Sequence, residues 1–301
     1  MLGRRLEHLS LALPAALLLI PFVLIVTIGG LWIAMHGENL LEPGSGEDFV
    51  GLGNFVQAIT DPTLGTSIGV TVAYVVAAVL CETALGVGVA LLMRKHFWGK
   101  GIVRSLVLIP MVLTPVVAGL TWRLLMDPTG GTVNYLLGLV SLGSDHAFLA
   151  DPATALAAVI LVDVWQNTPY VVIIVLAGLE SLPPEPFEAA QLDGATGWKL
   201  FRHVTFPMLG PVLSIVVLLR AIDAVKTFAL TQTMTKGGPG TSTLAISNYV
   251  YRVGFETFDI GYSSALGLVT SIALVVLIFP FARRLMAGTG AVPRRVRGGR
   301  A

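Results

Sequence analysis

Residues 153–179 read ATALAAVILVDVWQNTPYVVIIVLAGL, and Asp163 is the only charged residue among them. A helix needs about 20 predominantly apolar residues to cross the hydrocarbon of a bilayer, so this stretch is long enough to span one. The pattern recurs on both sides of it. Leu11–Met35 carries no charge, Thr66–Met93 only Glu82, and Ser105–Trp122 none. Val204–Leu219 has none before the run continues through Arg220 and Asp223, and Ile260–Ala282 has none. The fold class is all-α: a polytopic membrane protein with six transmembrane helices at about 11–35, 66–93, 102–126, 153–179, 204–227 and 260–286. They form a membrane domain over 11–287, with a short N-terminus at 1–10 and a basic tail at 288–301 rich in Gly, Arg and Pro. The first run exceeds the usual 7–15 residues of a signal-peptide core and reads as a retained helix.

Composition agrees. Of 301 residues, 54% are hydrophobic and 12% charged, with a mean hydropathy of +0.81. Soluble domains carry about 25% charged residues, so an ordinary soluble domain is excluded, as is a disordered chain. A net charge of +1 gives no electrostatic footprint for nucleic acid. The single cysteine, Cys81, and the scattered histidines (His8, His36, His96, His146, His203) offer neither a disulfide framework nor metal-ligand spacing. No GxxxxGK[ST] phosphate loop, HExxH or GxSxG is present. The chain is therefore read as neither an ATPase by itself nor an intramembrane hydrolase, with no catalytic or metal-binding residues of its own.

Charge sets the orientation. Of nineteen lysines and arginines, Lys236 and Arg252 fall on one side of the six-span skeleton, and Arg123, Arg220 and Lys226 lie in or near spans. The other fourteen fall on the opposite side. Cytoplasmic loops carry the excess of Lys and Arg, which places both termini in the cytoplasm. The segment Thr241–Phe255, in the last outer loop, reads as a short helix lying on the outer surface.

The longest inner loop, residues 180–207, reads ESLPPEPFEAAQLDGATGWKLFRHVTFP. Pro183, Pro184 and Pro186 end the fourth span and open a new helix, whose first turn tolerates proline. Glu185 and Glu188 stand where the helix dipole favours acids. This helix, at about 184–198, lies across the cytoplasmic end of the bundle. Phe187 and Gln191 share a face, so it presents an aromatic and a polar group, with Gly194 allowing close approach. By physics alone it is equally an amphipathic connector.

Its pattern is more specific than that. Glu188-Ala189-Ala190, Asp193-Gly194-Ala195, Phe201 and Phe206-Pro207 resemble the EAA motif of ABC-importer membrane subunits. Residues 236–243, KGGPGTST, are similar to the GGP…ST segment of carbohydrate-uptake permeases, and residues 49–55, FVGLGNF, to their FxGLxNF. The resemblance covers almost the whole chain and implies a type I ABC-importer permease fold. It implies that Phe187, Glu188, Ala189, Ala190, Asp193, Gly194 and Pro207 form a coupling helix and its exit, docking into a cytoplasmic ATP-binding subunit. Glu188 would make polar contact there and Gly194 would permit the turn. The implied partners are a second related permease subunit, two ATP-binding subunits that hold ATP and Mg, an extracytoplasmic substrate-binding protein and the lipid bilayer. This chain itself would bind no cofactor. The implied cargo is a sugar, a di- or oligosaccharide, and the implied location is the bacterial inner membrane.

Polar groups inside the spans mark candidate pathway residues. Asp163, Gln166, Asn167 and Tyr170 fall at i, i+3, i+4 and i+7, on one helical face. Trp165 is adjacent, and Pro169 can loosen the backbone. Ionisable groups at this depth face a protein interior or a cavity. Carboxylate, amide and hydroxyl groups pair with sugar hydroxyls, and an aromatic ring stacks on a pyranose. The alternative for the same face is helix–helix hydrogen bonding. On the fifth span, Arg220 and Asp223 stand at i, i+3, with Lys226 and Thr227 one turn on. A structural ion-pair cluster and substrate contact are both open there, and the resemblance favours Asp223 and Thr227 near the pathway. Glu82 has no partner legible in the sequence, so a subunit interface is the expectation. The pairs Ala84/Gly88 and Gly86/Ala90 suit close helix contact. The rival function is an ion-coupled secondary transporter using Asp163, Asp223 or Glu82, which intramembrane carboxylates alone would suit.

Overall fold

A computed structural model of the chain describes residues 2–94, 97–141, 143 and 145–289, with side chains described from residue 13 except at 15, 277, 280–282 and 284–289. The side chains of the expected N-terminus, and the expected basic tail from residue 290, lie outside these.

The described residues are helical, apart from loops and two isolated β-bridges. The elements are α1 (Leu2–Ala34), α2 (Gly53–Thr60), α3 (Pro62–Arg94), α4 (Lys100–Val112), α5 (Pro115–Leu125) and α6 (Thr132–Leu139). There follow α7 (Pro152–Glu180), α8 (Glu185–Leu192) and α9 (Gly197–Leu200), then a π turn at Phe201–Thr205 running into α10 (Phe206–Val225). The chain continues through α11 (Ala229–Met234), α12 (Ile246–Tyr251), a second π turn at Arg252–Glu256, and α13 (Ile260–Thr289). Among the described residues four helices are long and apolar enough to cross a membrane, Ala16–Ala34, Pro62–Arg94, Pro152–Glu180 and Gly197–Val225, or five if the bent pair Lys100–Val112 and Pro115–Leu125 is one span.

The third expected span is not one straight helix. α4 and α5 meet at 97°. Thr114 precedes Pro115, and a residue before proline is pushed out of the helical region. Leu113 and Thr114 are extended accordingly, and Thr114 caps α5 through Val117 N–H. The sixth expected span falls on α13, which runs from Ile260 to Thr289.

The chain divides into two compact units, Met1–Gly65 with Tyr249–Ala273, and Thr66–Asn248 with Leu274–Ala301. In the first, Asn54 donates its amide to the carbonyls of Ala34 and His36 at 3.0 Å each. Asp61 accepts from the hydroxyls of Tyr249 and Tyr262 and, at 2.8 Å, from Thr63 N–H. Of the segment expected to lie on the outer surface, Ile246–Tyr251 and Arg252–Glu256 are helical, and Leu244, in the second unit, and Val253, in the first, are buried. In the second unit α3, α7 and α10 share a core of Val87, Ala90, Met93, Val171, Val175, Leu179, Leu209 and Val216. Glycines bring these helices together. A Cβ at Gly86 would stand 2.5 Å from Val171 Cγ1, and one at Gly178 2.9 Å from Val212 Cγ1.

Candidate functional site

α3, α7 and α10 carry the buried charges of the second unit, and the structure joins them into one network. Arg220 of α10 donates from Nε to Glu82 Oε2 at 2.6 Å and from Nη2 to Glu82 Oε1 at 2.7 Å. Nη2 also reaches Asp163 Oδ2 of α7 at 3.1 Å, and Nη1 reaches Asp223 Oδ2 at 2.6 Å. Glu82 therefore has a partner within its own chain, correcting the expectation of a subunit interface. The planar guanidinium fork matches a carboxylate with two parallel bonds, and a buried ion pair needs such geometry to offset its desolvation. Glu82, Arg220 and Asp163 are all buried, whereas the Asp223 side chain is 72% exposed.

The network opens on a cavity of about 350 Å³ lined by Asn167, Tyr170, Leu219, Arg220, Ile222, Asp223 and Lys226. Asn167 is tied back into the network, its Nδ2 donating to Asp163 Oδ1 at 2.8 Å. Of the seven expected pathway residues, the structure brings Asn167, Tyr170 and Asp223 to this cavity. The other four are engaged elsewhere. Asp163 lies behind Asn167 in the network. Gln166 is buried and donates to the carbonyl of Leu113 at 2.8 Å. That carbonyl is freed by the α4–α5 break, and broken helices at membrane depth need such protein partners. Trp165 packs edge to face on Trp122, centroids 5.5 Å apart. Thr227 Oγ1 pairs with the Tyr74 hydroxyl at 3.2 Å. The i, i+3, i+4, i+7 face is thus split between cavity and helix packing. Leu219, Arg220, Ile222 and Lys226 line it without having been among the seven. Lys226 sits one turn beyond Asp223, which was the available signal.

The inner loop forms α8 and α9. α8 ends in a turn at Gly194, whose φ of +82° is costly for any residue with a Cβ. Ala195 N–H returns to the carbonyl of Ala190 at 2.8 Å and closes the helix end. Glu188, Ala189 and Asp193 are exposed, and Ala190 is half-buried. Phe187 is not presented outward as expected: it is buried, with the Arg94 guanidinium 4.8 Å from its ring centre. Burying an aromatic ring removes more apolar area from water than any other choice on this short helix, which fixes α8 against the end of α3. Pro207 stands at the start of α10, directly after the π turn.

Residues 82–288 match the family described as binding-protein-dependent transport system inner membrane component. The chain belongs to this family. It is 39% identical over 276 residues to a probable ABC transporter permease protein, y4oQ, of Sinorhizobium fredii, covering 92% of this chain and 89% of that one. It is 33% identical over 263 residues to the trehalose/maltose transport system permease protein MalF of Thermococcus litoralis, covering 87% and 88%. The fold matches a chain of the crystal structure of a bacterial ABC transporter involved in importing the acidic polysaccharide alginate. The TM-score is 0.77 at 20% identity, over 97% of this chain and 99% of that one. The chain is the multi-pass inner membrane permease of a binding-protein-dependent ABC importer, a transporter subunit and not an enzyme. Nothing in these relationships favours an ion-coupled transporter.

Proposed function

We propose that this permease pairs with a second, related permease subunit to form the membrane pathway of an ATP-driven importer of a sugar, a di- or oligosaccharide. The observation that carries the reading is the edge of Asn167, Tyr170 and Asp223 on a cavity between two helices of membrane-spanning length. Amide, phenol and carboxylate match the donors and acceptors of saccharide hydroxyls, and the name of the trehalose/maltose relative supports that cargo. An extracytoplasmic binding protein delivers the sugar to the outer loops. Two ATP-binding subunits hold ATP and Mg and dock on the loop around α8, where Glu188, Ala189, Ala190, Asp193 and Gly194 meet them. Phe187 holds that loop to α3, and Pro207 starts the helix that leaves it. Both termini face the cytoplasm. The pathway alternates between two states that differ in which end is open, and differential binding of ATP by the partners shifts the equilibrium between them.

The test is purification of the tagged chain from its native membrane in mild detergent, followed by reconstitution. A second six-span permease, an ATP-binding subunit and a binding protein are expected to copurify. Uptake of labelled trehalose or maltose into proteoliposomes is expected to need internal-face ATP. A chain recovered alone, whose uptake follows a proton or sodium gradient and ignores ATP, would overturn the reading.

A further inference from the structure

Glu82 is not among the residues lining that cavity, yet it accepts two bonds from Arg220, at 2.6 and 2.7 Å. Two hydrogen-bonded arms lead from that pair to the cavity wall. One runs from Arg220 Nη1 to Asp223 Oδ2. The other runs from Arg220 Nη2 to Asp163 Oδ2, and from Asp163 Oδ1 to Asn167 Nδ2. Both arms end on residues that line the cavity, and on each of them a side-chain oxygen, Oδ1, makes no hydrogen bond among the described residues. The guanidinium is rigid and planar, so fixing its Nε and Nη2 on Glu82 fixes the direction of Nη1 as well. The two free oxygens are thereby held at the cavity, one carried by α7 and one by α10.

We propose that Glu82, through Arg220, is a positioning residue for ligand recognition, holding Asp223 and Asn167 as acceptors for hydroxyls of a saccharide. This rests on the sugar-pathway reading above. Glu82 lies 138 residues before Arg220 on a different helix and never touches the ligand. Its role is preorganisation: an acceptor held in place loses no freedom on binding. Arg220, with all three of its nitrogens already donated to carboxylates, acts on the ligand only through Asp223 and Asn167.

The experiment measures equilibrium binding of radiolabelled maltose and trehalose to the assembled permease–ATPase complex in nanodiscs, without binding protein, so that Kd belongs to the permease pathway. Thermal stability of the same complexes is measured in parallel. Glu82→Gln keeps the shape, removes the charge and turns one acceptor into a donor facing Arg220. It is expected to raise Kd about tenfold, the scale of losing one well-placed hydrogen bond, and Asp223→Asn is expected to raise it similarly. The double variant Glu82→Gln/Asp223→Asn is expected to raise Kd little beyond either single variant, because the two act through one chain of bonds. If Glu82→Gln lowers the midpoint of unfolding and leaves Kd unchanged while Asp223→Asn raises it, Glu82 is structural only. The proposal then fails and the pathway reading stands. If Asp223→Asn also leaves Kd unchanged, or the wild-type complex binds neither sugar, the pathway reading fails and takes the proposal with it. Should Glu82→Gln not assemble, Glu82→Asp carries the test: it retains the charge at shorter reach and is expected to give an intermediate Kd.

Discussion

Arg220 is one cation among three carboxylates, two of them buried. Removing it leaves Glu82 and Asp163 charged without a partner, which costs far more than the pair contributes while intact. Arg220→Met is expected to destabilise the protein by about 3–5 kcal/mol, visible as a large fall in the thermal midpoint of the purified complex. Asp223→Asn removes an exposed end of the same network and is expected to cost under about 1 kcal/mol. Equal losses from the two variants would show that the buried pairs do not hold the core. The Arg220–Asp223 pair was legible in the sequence because it sits at i, i+3. The Glu82–Arg220 pair was not, because no local periodicity relates residues on separate helices. Asp61 adds a pH dependence outside the spans. Burial pushes its carboxyl upward, but bonds from Tyr249, Tyr262 and Thr63 outweigh this and hold it below its ordinary value. A lowered carboxylate stabilises above the unfolded value of about 3.9 and loses that stabilisation as pH falls through the folded one. Tyr249, pushed up to about 12 by burial and by its bond to Asp61, keeps its proton throughout this range. Hydrogen exchange of residues 249–259 is therefore expected to be slower in the wild type than in Asp61→Asn at pH 7. The gap should close below about pH 4, and a gap that persists in acid would rule out the Asp61 carboxylate as the cause.

At the level of helices, spacing and glycine decide what packs. Two small-residue pairs were read on α3, and only one of them meets another helix. Gly86 presses on Val171 of α7 and Ala90 is buried, whereas Ala84 and Gly88 are exposed and a Cβ at Gly88 meets nothing within 4 Å. Gly86→Ala is expected to force α3 from α7 at a cost of about 1–3 kcal/mol, while Gly88→Ala is expected to be neutral or slightly stabilising through helix propensity. Thermal unfolding of the two variants side by side checks this, and equal effects would contradict the packing of α3 on α7. The sequence showed two candidate faces but not which one a neighbour would use, since that depends on where α7 lies. The break between α4 and α5 was hidden for a related reason. Hydropathy runs on through Leu113, Thr114 and Pro115, and apolar composition says nothing of direction, although Thr114-Pro115 was the local sign that the helix stops. Gln166, placed on the pathway face by its spacing, is drawn to the carbonyl that this break leaves free.

Over the whole molecule, apolar surface is not concentrated in a core. Of the described side chains in Ala16–Ala34 only Ala34 is buried, and Leu18, Phe22 and Ile25 are strongly exposed. A soluble monomer does not leave patches of that extent in water, which is why composition alone sufficed to place the chain in a bilayer. The coupling role is harder to derive from composition. α8 has only Phe187 buried, so its contacts within the chain hold the loop in place while its exposed side, with Glu188 and Asp193, is left for another protein. The two kinds of residue should then fail differently. Glu188→Arg keeps the anchor and reverses a charge on the exposed side. It is expected to abolish ATP-driven uptake by at least about tenfold, the effect of losing roughly 1.4 kcal/mol of docking energy, with the chain still in the membrane. Phe187→Ala frees the loop from Arg94 and α3 but leaves the exposed side intact. It is expected to retain the ATP-binding subunits and their hydrolysis, with uptake falling out of step with it. Both variants are read by uptake and phosphate release in the same proteoliposomes. Full uptake in Glu188→Arg would remove α8 from the coupling path, and tight coupling in Phe187→Ala would mean that force reaches α3, α7 and α10 by a route other than this anchored ring.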